Sequence, residues 1–178
     1  MIYIALLRGI NVGGNNKISM QELKVVFERV GMQNVSTYIN SGNVIFESDI
    51  NSKDKATNIL EKAIETSLGL SIKVIIRDKN NILSLAKSLP DNWVNDTNTK
   101  CDVMFLWDSI DNPDVLKQIT IKPDIDNVVY VPGALLWLVD RKNLTKSGMQ
   151  NLIGTNIYKQ MTIRNCNTVR KLATLVGQ

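Results

Sequence analysis

Histidine is absent from this chain of 178 residues. Its absence excludes Ser-His-Asp and Cys-His catalysis, and it excludes any metal site that needs an imidazole ligand. A general base acting near neutral pH would have to be a carboxylate, a lysine or a cysteine with a shifted pKa. The two cysteines, Cys101 and Cys166, are too few for a disulfide scaffold and cannot form a zinc site alone. The sequence therefore predicts no metal site, and it assigns neither a catalytic residue nor a cofactor.

Long apolar runs are also absent. No run approaches the roughly 20 residues that span a bilayer, and the first residues lack the basic segment that opens a signal peptide. A hydrophobic content of 44% is ordinary for a globular protein and allows a core of normal size. We therefore expect a cytoplasmic protein with no membrane partner.

Acidic residues are missing from the last part of the chain. Residues 141–178 contain seven cations and no Asp or Glu, whereas residues 1–140 contain 14 cations and 17 anions. A basic segment on a mildly acidic body suggests an anionic partner, such as a nucleotide or a nucleic acid. The alternative is that the basic segment packs against the acidic body. The seven cations are Arg141, Lys142, Lys146, Lys159, Arg164, Arg170 and Lys171.

The order of apolar patterns predicts a ferredoxin-like half in residues 1–78. An apolar strand leads to a helix whose capping box begins at Ser19 and whose end is marked by Gly31. A hairpin with a two-residue turn at Ser41 and Gly42 follows, and then a second helix and a further strand. This β-α-β-β-α-β order is that of the split βαβ fold.

The same pattern is repeated in residues 100–178, after a connecting helix and loop in residues 79–99. Its elements are a strand at 101–107, a short helix at 113–119, a hairpin, a weakly patterned helix at 147–153 and a short strand, and an amphipathic C-terminal helix with Asn167 or Thr168 as the predicted N-cap. The predicted fold is therefore α+β, with two diverged ferredoxin-like halves and a C-terminal helix.

The most distinctive segment is the loop of residues 8–17, which contains three glycines, three asparagines and two cations. Split βαβ topology places this loop beside the hairpin turn of residues 40–43 and beside the N-terminus of the Ser19 helix, which favours anions. The alternative is a purely structural turn that uses left-handed conformations. The candidate ligand-binding residues are Arg8, Asn11, Gly13, Gly14, Lys17, Asn40, Ser41, Asn43, Arg164 and Asn165.

Known phosphate-binding motifs do not describe this loop. Gly9 and Gly14 have the spacing that begins a P-loop, but Asn15 and Asn16 stand where that motif requires Lys and Ser or Thr. The dinucleotide pattern G-x-G-x-x-G is absent as well. The sequence therefore predicts neither a Walker ATPase nor a Rossmann site.

Three segments resemble an uncharacterised bacterial family, the domain of unknown function 1697. They are ALLRGINVGG at 5–14, YINSGNV at 38–44 and RNCNTV at 164–169. The resemblance implies an α+β fold and a small cytoplasmic bacterial protein, and it implies no activity or ligand. The family's last motif usually has an aromatic residue, commonly Trp, at the position of Cys166. If that aromatic residue stacks on a base, the contact is lost here; if it serves packing, little changes.

Cys166 itself allows two interpretations. A cysteine near a helix N-terminus with cationic neighbours can have a lowered pKa and act as a nucleophile. The interpretation we favour is a small buried side chain that replaces a larger one.

Three functions are compatible with these patterns. The first, which we favour, is a protein that binds a nucleotide, a nucleic acid or a phosphorylated ligand at the 8–17 loop and the 40–43 turn. The second is a histidine-free enzyme in which Arg8, Lys17 and Arg164 stabilise charge on a phosphorylated substrate. The third is a scaffold or partner-binding module. The oligomeric state is not predicted.

Overall fold

The computed structural model describes residues 1–14 and 16–178, so Asn15, which entered the P-loop comparison, lies outside the described residues. The chain divides into two compact units, Met1–Asn80 and Asn81–Gln178, called here the first unit and the second unit. Each unit contains a four-stranded sheet with the same antiparallel arrangement. The predicted α+β fold of two ferredoxin-like halves with a C-terminal helix is confirmed.

The first unit has a sheet of order β2-β3-β1-β4, in which β3 is antiparallel to both β1 and β2. Consequently β1 and β2 run in the same direction. The loop after β1 and the turn after β2 therefore leave the sheet at the same end. The elements are β1 (Ile2–Leu7), α1 (Met20–Arg29), β2 (Gln33–Tyr38), β3 (Asn43–Glu47), α2 (Lys53–Leu68) and β4 (Val74–Asp78).

Helix α1 begins and ends at the residues that the sequence indicates. The Ser19 side chain accepts a hydrogen bond from the backbone N–H of Glu22, which satisfies one of the unpaired donors of the first turn. Gly31 follows the helix in the left-handed conformation, with φ of 87°. Burying each large side chain of the apolar face contributes about 1.5–3 kcal/mol. The fully buried members of that face are Leu23, Val26 and Phe27.

The turn between β2 and β3 has four residues, 39–42, so the predicted two-residue turn was wrong. Ile39 and Gly42 both have positive φ, 49° and 72°. The amide of Asn43 holds the turn closed, since its Nδ2 donates to Tyr38 O at 3.0 Å and to Ser41 Oγ at 2.9 Å. A side chain that braces the backbone in this way allows a turn longer than the sequence signal alone indicates.

The second unit has a sheet of order β6-β7-β5-β8, which repeats the topology of the first. Its crossovers are built largely from short 3₁₀ helices, so the helix predicted at 113–119 is a 3₁₀ helix and the one predicted at 147–153 is a single α-turn. Helix α3 (Lys79–Ser88) spans the boundary between the units. The other elements are β5 (Thr99–Leu106), β6 (Asp126–Val131), β7 (Ala134–Asp140), α4 (Met149–Leu152), β8 (Met161–Asn165) and α5 (Cys166–Gly177).

Asp126 is a buried carboxylate that joins one of these crossovers to the sheet. It accepts hydrogen bonds from Trp137 Nε1 at 3.1 Å, from Ser147 Oγ at 2.5 Å, and from the backbone N–H groups of Lys122 and Gly148, both at 2.8 Å. Gly148 fits there because it lacks a side chain; a Cβ atom would collide with the backbone oxygen of Thr120. The crossover therefore depends on a buried acceptor and on a close approach between backbones.

Helix α5 follows β8 with no intervening loop. Its N-cap is Asn165, whose side chain accepts from Thr168 N at 2.9 Å, so the predicted caps Asn167 and Thr168 were wrong. Asn165 is the last extended residue of the strand, with φ of −68° and ψ of 156°, and it already has the backbone conformation of a cap. Among the described residues, no helix has both the length and the apolar character needed to cross a membrane.

Candidate functional site

The two glycine- and asparagine-rich segments of the first unit lie side by side. The backbone N–H of Leu7, at the end of β1, donates to Gly42 O at 2.9 Å. Further along the loop, Asn11 Nδ2 donates to Asn40 O at 3.0 Å and lies 3.1 Å from Asn40 Oδ1. Two segments separated by about thirty residues in sequence are thus joined by both backbone and side-chain contacts.

Asn11 also fastens the loop to the start of helix α1. Its Oδ1 accepts from Ile18 N at 2.8 Å and its Nδ2 donates to Ile18 O at 3.0 Å. Asn11 has φ of 54°, a left-handed conformation that asparagine tolerates better than most residues. Its amide therefore holds three pieces of chain together: the loop, the entry to α1 and the β2–β3 turn.

We predict that Asn11→Asp loosens this end of the first unit. The substitution keeps the oxygen that accepts from Ile18 N, but it removes the N–H donors to Ile18 O and Asn40 O. The bond to Ile18 O is half-buried, and such an acceptor that loses its donor costs about 1–3 kcal/mol, whereas the exposed Asn40 O can bind water instead. Hydrogen exchange of peptides from residues 1–80, followed by mass spectrometry, should show faster exchange in the loop and the turn.

The matched control is Asn34→Asp. Asn34 is exposed on β2 and has φ of 49°, so it shares the left-handed backbone of Asn11. Equal exchange in both variants would show that the backbone conformation, and not the amide contacts, governs the loop.

A cleft of about 450 Å³ opens where the loop, the turn and the N-terminus of α1 meet. We call it the loop cleft. Four of the predicted site residues line it, together with two residues at the start of α1 that were not predicted. Its lining residues are Asn11, Gly14, Lys17, Ile18, Ser19 and Asn40. The capping signature of Ser19 could have identified it as a site residue, because an N-cap lies beside the helix N–H groups that bind anions.

The lining favours negative charge. The first N–H groups of α1 have no partner within the helix and carry the positive end of its dipole. The exposed Lys17 adds a full positive charge. Glu22 is exposed in the first turn of α1 and opposes that charge, although it is not among the lining residues. The described lining residues offer donors and one cation but no carboxylate or thiol, a set suited to holding an anion rather than to abstracting a proton.

The remaining predicted residues of the first unit do not line the loop cleft. Asn43 is fully buried and braces the turn, and the hydroxyl of Ser41 accepts one of its hydrogen bonds. Gly13 is exposed, has φ of 59° and is not among the residues that line the cleft. The backbone N–H of Arg8 donates to Lys73 O at 2.9 Å, so this residue connects β1 to the entry of β4.

Arg164 and Asn165 belong to the second unit, where their polar atoms make internal contacts. Arg164 is only 7% exposed, and its Nη1 donates to Ile163 O at 2.8 Å and to Thr162 Oγ1 at 3.2 Å. Burial lowers the pKa of Arg164 to about 10. Asn165 caps helix α5. These contacts give both residues a structural role in β8 and α5.

Comparison with known proteins agrees with the sequence resemblance. A family model described as "Protein of unknown function (DUF1697)" matches residues 1–137. A solved structure, that of the conserved bacterial protein SP0830 from Streptococcus pneumoniae, is similar over 98% of each chain, with a TM-score of 0.82 and 26% sequence identity. No curated protein matches the chain.

Proposed function

The chain belongs to the DUF1697 family of proteins of unknown function, and we propose from its own geometry that the loop cleft binds an anionic ligand. The anionic group lies at the N-terminus of α1, beside Lys17. The observation that carries this proposal is the convergence of the 8–17 loop and the 39–42 turn on that helix N-terminus, with a cation in the lining. Backbone N–H groups, a helix dipole and a lysine are the usual means by which proteins hold phosphate.

The size of the cleft limits the class of ligand. A volume of about 450 Å³ is within the range of small-molecule sites and would accommodate a nucleotide, a sugar phosphate or the end of a nucleic-acid strand. In this proposal the ligand places a phosphoryl group at the helix N-terminus and a polar remainder beside Asn40, which also lines the cleft. We place this binding protein in the bacterial cytoplasm, a setting supported by the bacterial origin of the similar solved structure and by the low cysteine content.

A thermal-shift series tests the proposal. The probes are inorganic phosphate, a nucleoside monophosphate, a sugar phosphate and a short single-stranded oligonucleotide. A ligand present at 100 times its dissociation constant should stabilise the protein by about 2.7 kcal/mol. Lack of stabilisation by every probe at low ionic strength would contradict the proposal.

We predict that Lys17→Ala lowers the affinity for the probe by about 10- to 100-fold, because a hydrogen bond to a charged group contributes about 1.5–3 kcal/mol. Titration calorimetry measures the change. The matched control is Lys55→Ala: Lys55 is exposed in the first turn of α2, whose N-cap Ser52 accepts from Lys55 N, but it does not line the loop cleft. Glu22→Gln removes the opposing charge and should strengthen binding. Equal losses for Lys17→Ala and Lys55→Ala would mean that the cleft is not the site.

A further inference from the structure

The second unit contains two buried cysteines that strand pairing brings next to each other. Strands β5 and β8 pair Asp102 with Asn165 in antiparallel register. Cys101 precedes Asp102 and Cys166 follows Asn165, so the two cysteines come next at the same end of the ladder. The last facing pair of an antiparallel ladder has Cα atoms about 4.5–5.5 Å apart. The two cysteines follow that pair by one residue each, which brings them near the separation of about 4.4–6.8 Å that a disulfide spans. Both residues are free thiols with no exposed surface.

The environment distinguishes the two thiols. Cys166 is the first residue of α5, where the helix dipole favours a negative charge. Arg170 Nη1, one turn along the helix, donates to Cys166 Sγ at 3.6 Å. The neighbouring Cys101 and the charge of Arg170 lower the pKa of Cys166 to about 7, although burial and Asp102 oppose this. The neighbouring Cys166 and burial raise the pKa of Cys101.

We propose that Cys101 and Cys166 form a reversible redox site, in which a hydroperoxide such as hydrogen peroxide oxidises the two thiols to a disulfide. Cys166 is the attacking thiol and Cys101 is the resolving thiol. The position of two buried thiols side by side at the end of the β5–β8 ladder carries this inference, and the hydrogen bond that Arg170 donates to Cys166 Sγ assigns the roles.

The chemistry balances in two steps. The Cys166 thiolate attacks one oxygen of hydrogen peroxide and breaks the O–O bond, giving a sulfenic acid and a hydroxide ion that becomes water on protonation. Cys166 then no longer carries the negative charge that raised the pKa of Cys101. The sulfur of Cys101 attacks the sulfenic sulfur, forms the S–S bond and expels the second oxygen as water. Two thiols and one peroxide give one disulfide and two waters.

Access to the pair depends on the segment that precedes β5. Cys166 Sγ lies 3.5 Å from Trp93 O, and Arg170 donates to Trp93 O and to Pro90 O, both at 2.8 Å. Asn167 Nδ2 donates to Asn95 O at 2.8 Å and so joins the same segment to helix α5. Oxidation of the folded protein should therefore be governed by local opening of residues 90–98, and it should be slower than that of an exposed thiol.

Mass spectrometry of the wild-type chain tests the proposal without any variant. After treatment with hydrogen peroxide the monomer should lose two hydrogen atoms in mass, and iodoacetamide in denaturant should label no cysteine. Dithiothreitol should restore both labels. Addition of oxygen atoms to the cysteines, a disulfide between two chains, or two labelled thiols after prolonged excess peroxide would each overturn the proposal.

Single variants test the roles. In Cys101→Ser the Cys166 sulfenic acid cannot be resolved, so a sulfenic-acid trap such as dimedone should label Cys166. In Cys166→Ser the trap should label Cys101 at least about tenfold more slowly, because Cys101 lies within a strand and lacks the helix N-terminus and the Arg170 hydrogen bond of Cys166. Equal labelling, or faster labelling of Cys101, would overturn the assignment. Circular dichroism establishes that each variant is folded before it is labelled.

Discussion

Replacing Asp126 by alanine is expected to destabilise the second unit by more than about 3 kcal/mol, because each buried donor left without a partner costs about 1–3 kcal/mol. Four donors lose their acceptor at once: two backbone N–H groups, the Trp137 indole and the Ser147 hydroxyl. The loss should extend beyond the side chain itself. Asp126 begins β6 and also holds the Ser147–Gly148 corner that leads into α4.

The effect of Asp126 should depend on pH. Burial, the largest single influence, would raise its pKa, but the hydrogen bonds from Ser147, Lys122 N, Gly148 N and Trp137 together lower the pKa below its ordinary value of 3.8. A carboxyl whose pKa is lower in the folded state stabilises that state fully above its unfolded pKa, and this stabilisation is lost as the pH falls through the folded pKa. The difference in stability between the wild type and Asp126→Ala should therefore be greatest near neutral pH and should narrow below pH of about 4.

Tryptophan fluorescence during urea unfolding is a selective measurement, because Trp93, Trp107 and Trp137 all belong to the second unit. The matched control is Asp124→Ala, which removes an exposed carboxylate two residues away and should change the midpoint little. If Asp126→Ala shifted the unfolding free energy by no more than Asp124→Ala, the buried hydrogen bonds would not stabilise the crossover.

The fold could be predicted from the sequence because its signals are local and repeated. Ser19 and Gly31 mark the ends of α1, and alternating apolar residues mark the strands. The predictions failed where several residues of one type compete for the same role. Asn165, Asn167 and Thr168 can each cap a helix, and the choice depends on where β8 stops, which periodicity over five residues does not fix.

The candidate site could be predicted in position but not in detail. Topology alone places the 8–17 loop beside the β2–β3 turn, since parallel strands end at the same edge of the sheet. Which amides face the cleft depends on side-chain contacts that a sequence does not show: Asn40 lines it, whereas Asn43 turns inward and braces the turn. The placement of Cys101 next to Cys166 likewise depends on the register of β5 and β8.

Replacing Gly42 by alanine is the second substitution from which we expect a large effect, because two costs act at one position. Gly42 has φ of 72°, a left-handed conformation that costs an L-residue about 1–2 kcal/mol. A Cβ atom there would lie 2.7 Å from Ile10 Cδ1 and 2.8 Å from Leu7 Cβ, so the loop and the turn would have to separate. Overpacking of a well-filled core costs about 1–3 kcal/mol, which gives a total of about 2–5 kcal/mol.

Gly31→Ala separates these two costs. Gly31 also has a positive φ, 87°, but a Cβ atom there would meet nothing within 4 Å. It should therefore lose only the conformational part, about 1–2 kcal/mol. Hydrogen exchange of peptides from residues 1–80 measures both losses.

The same two variants, titrated with the probe that binds the wild type, test whether the contact between the loop and the turn supports the proposed site. Gly42→Ala should weaken binding because it displaces Ile10 and, with it, the adjoining Asn11. Gly31→Ala should leave affinity unchanged. If both variants bound the probe equally, although Gly42→Ala lost more stability, ligand affinity would not depend on the contact between the loop and the turn. The ligand would then bind elsewhere on the molecule.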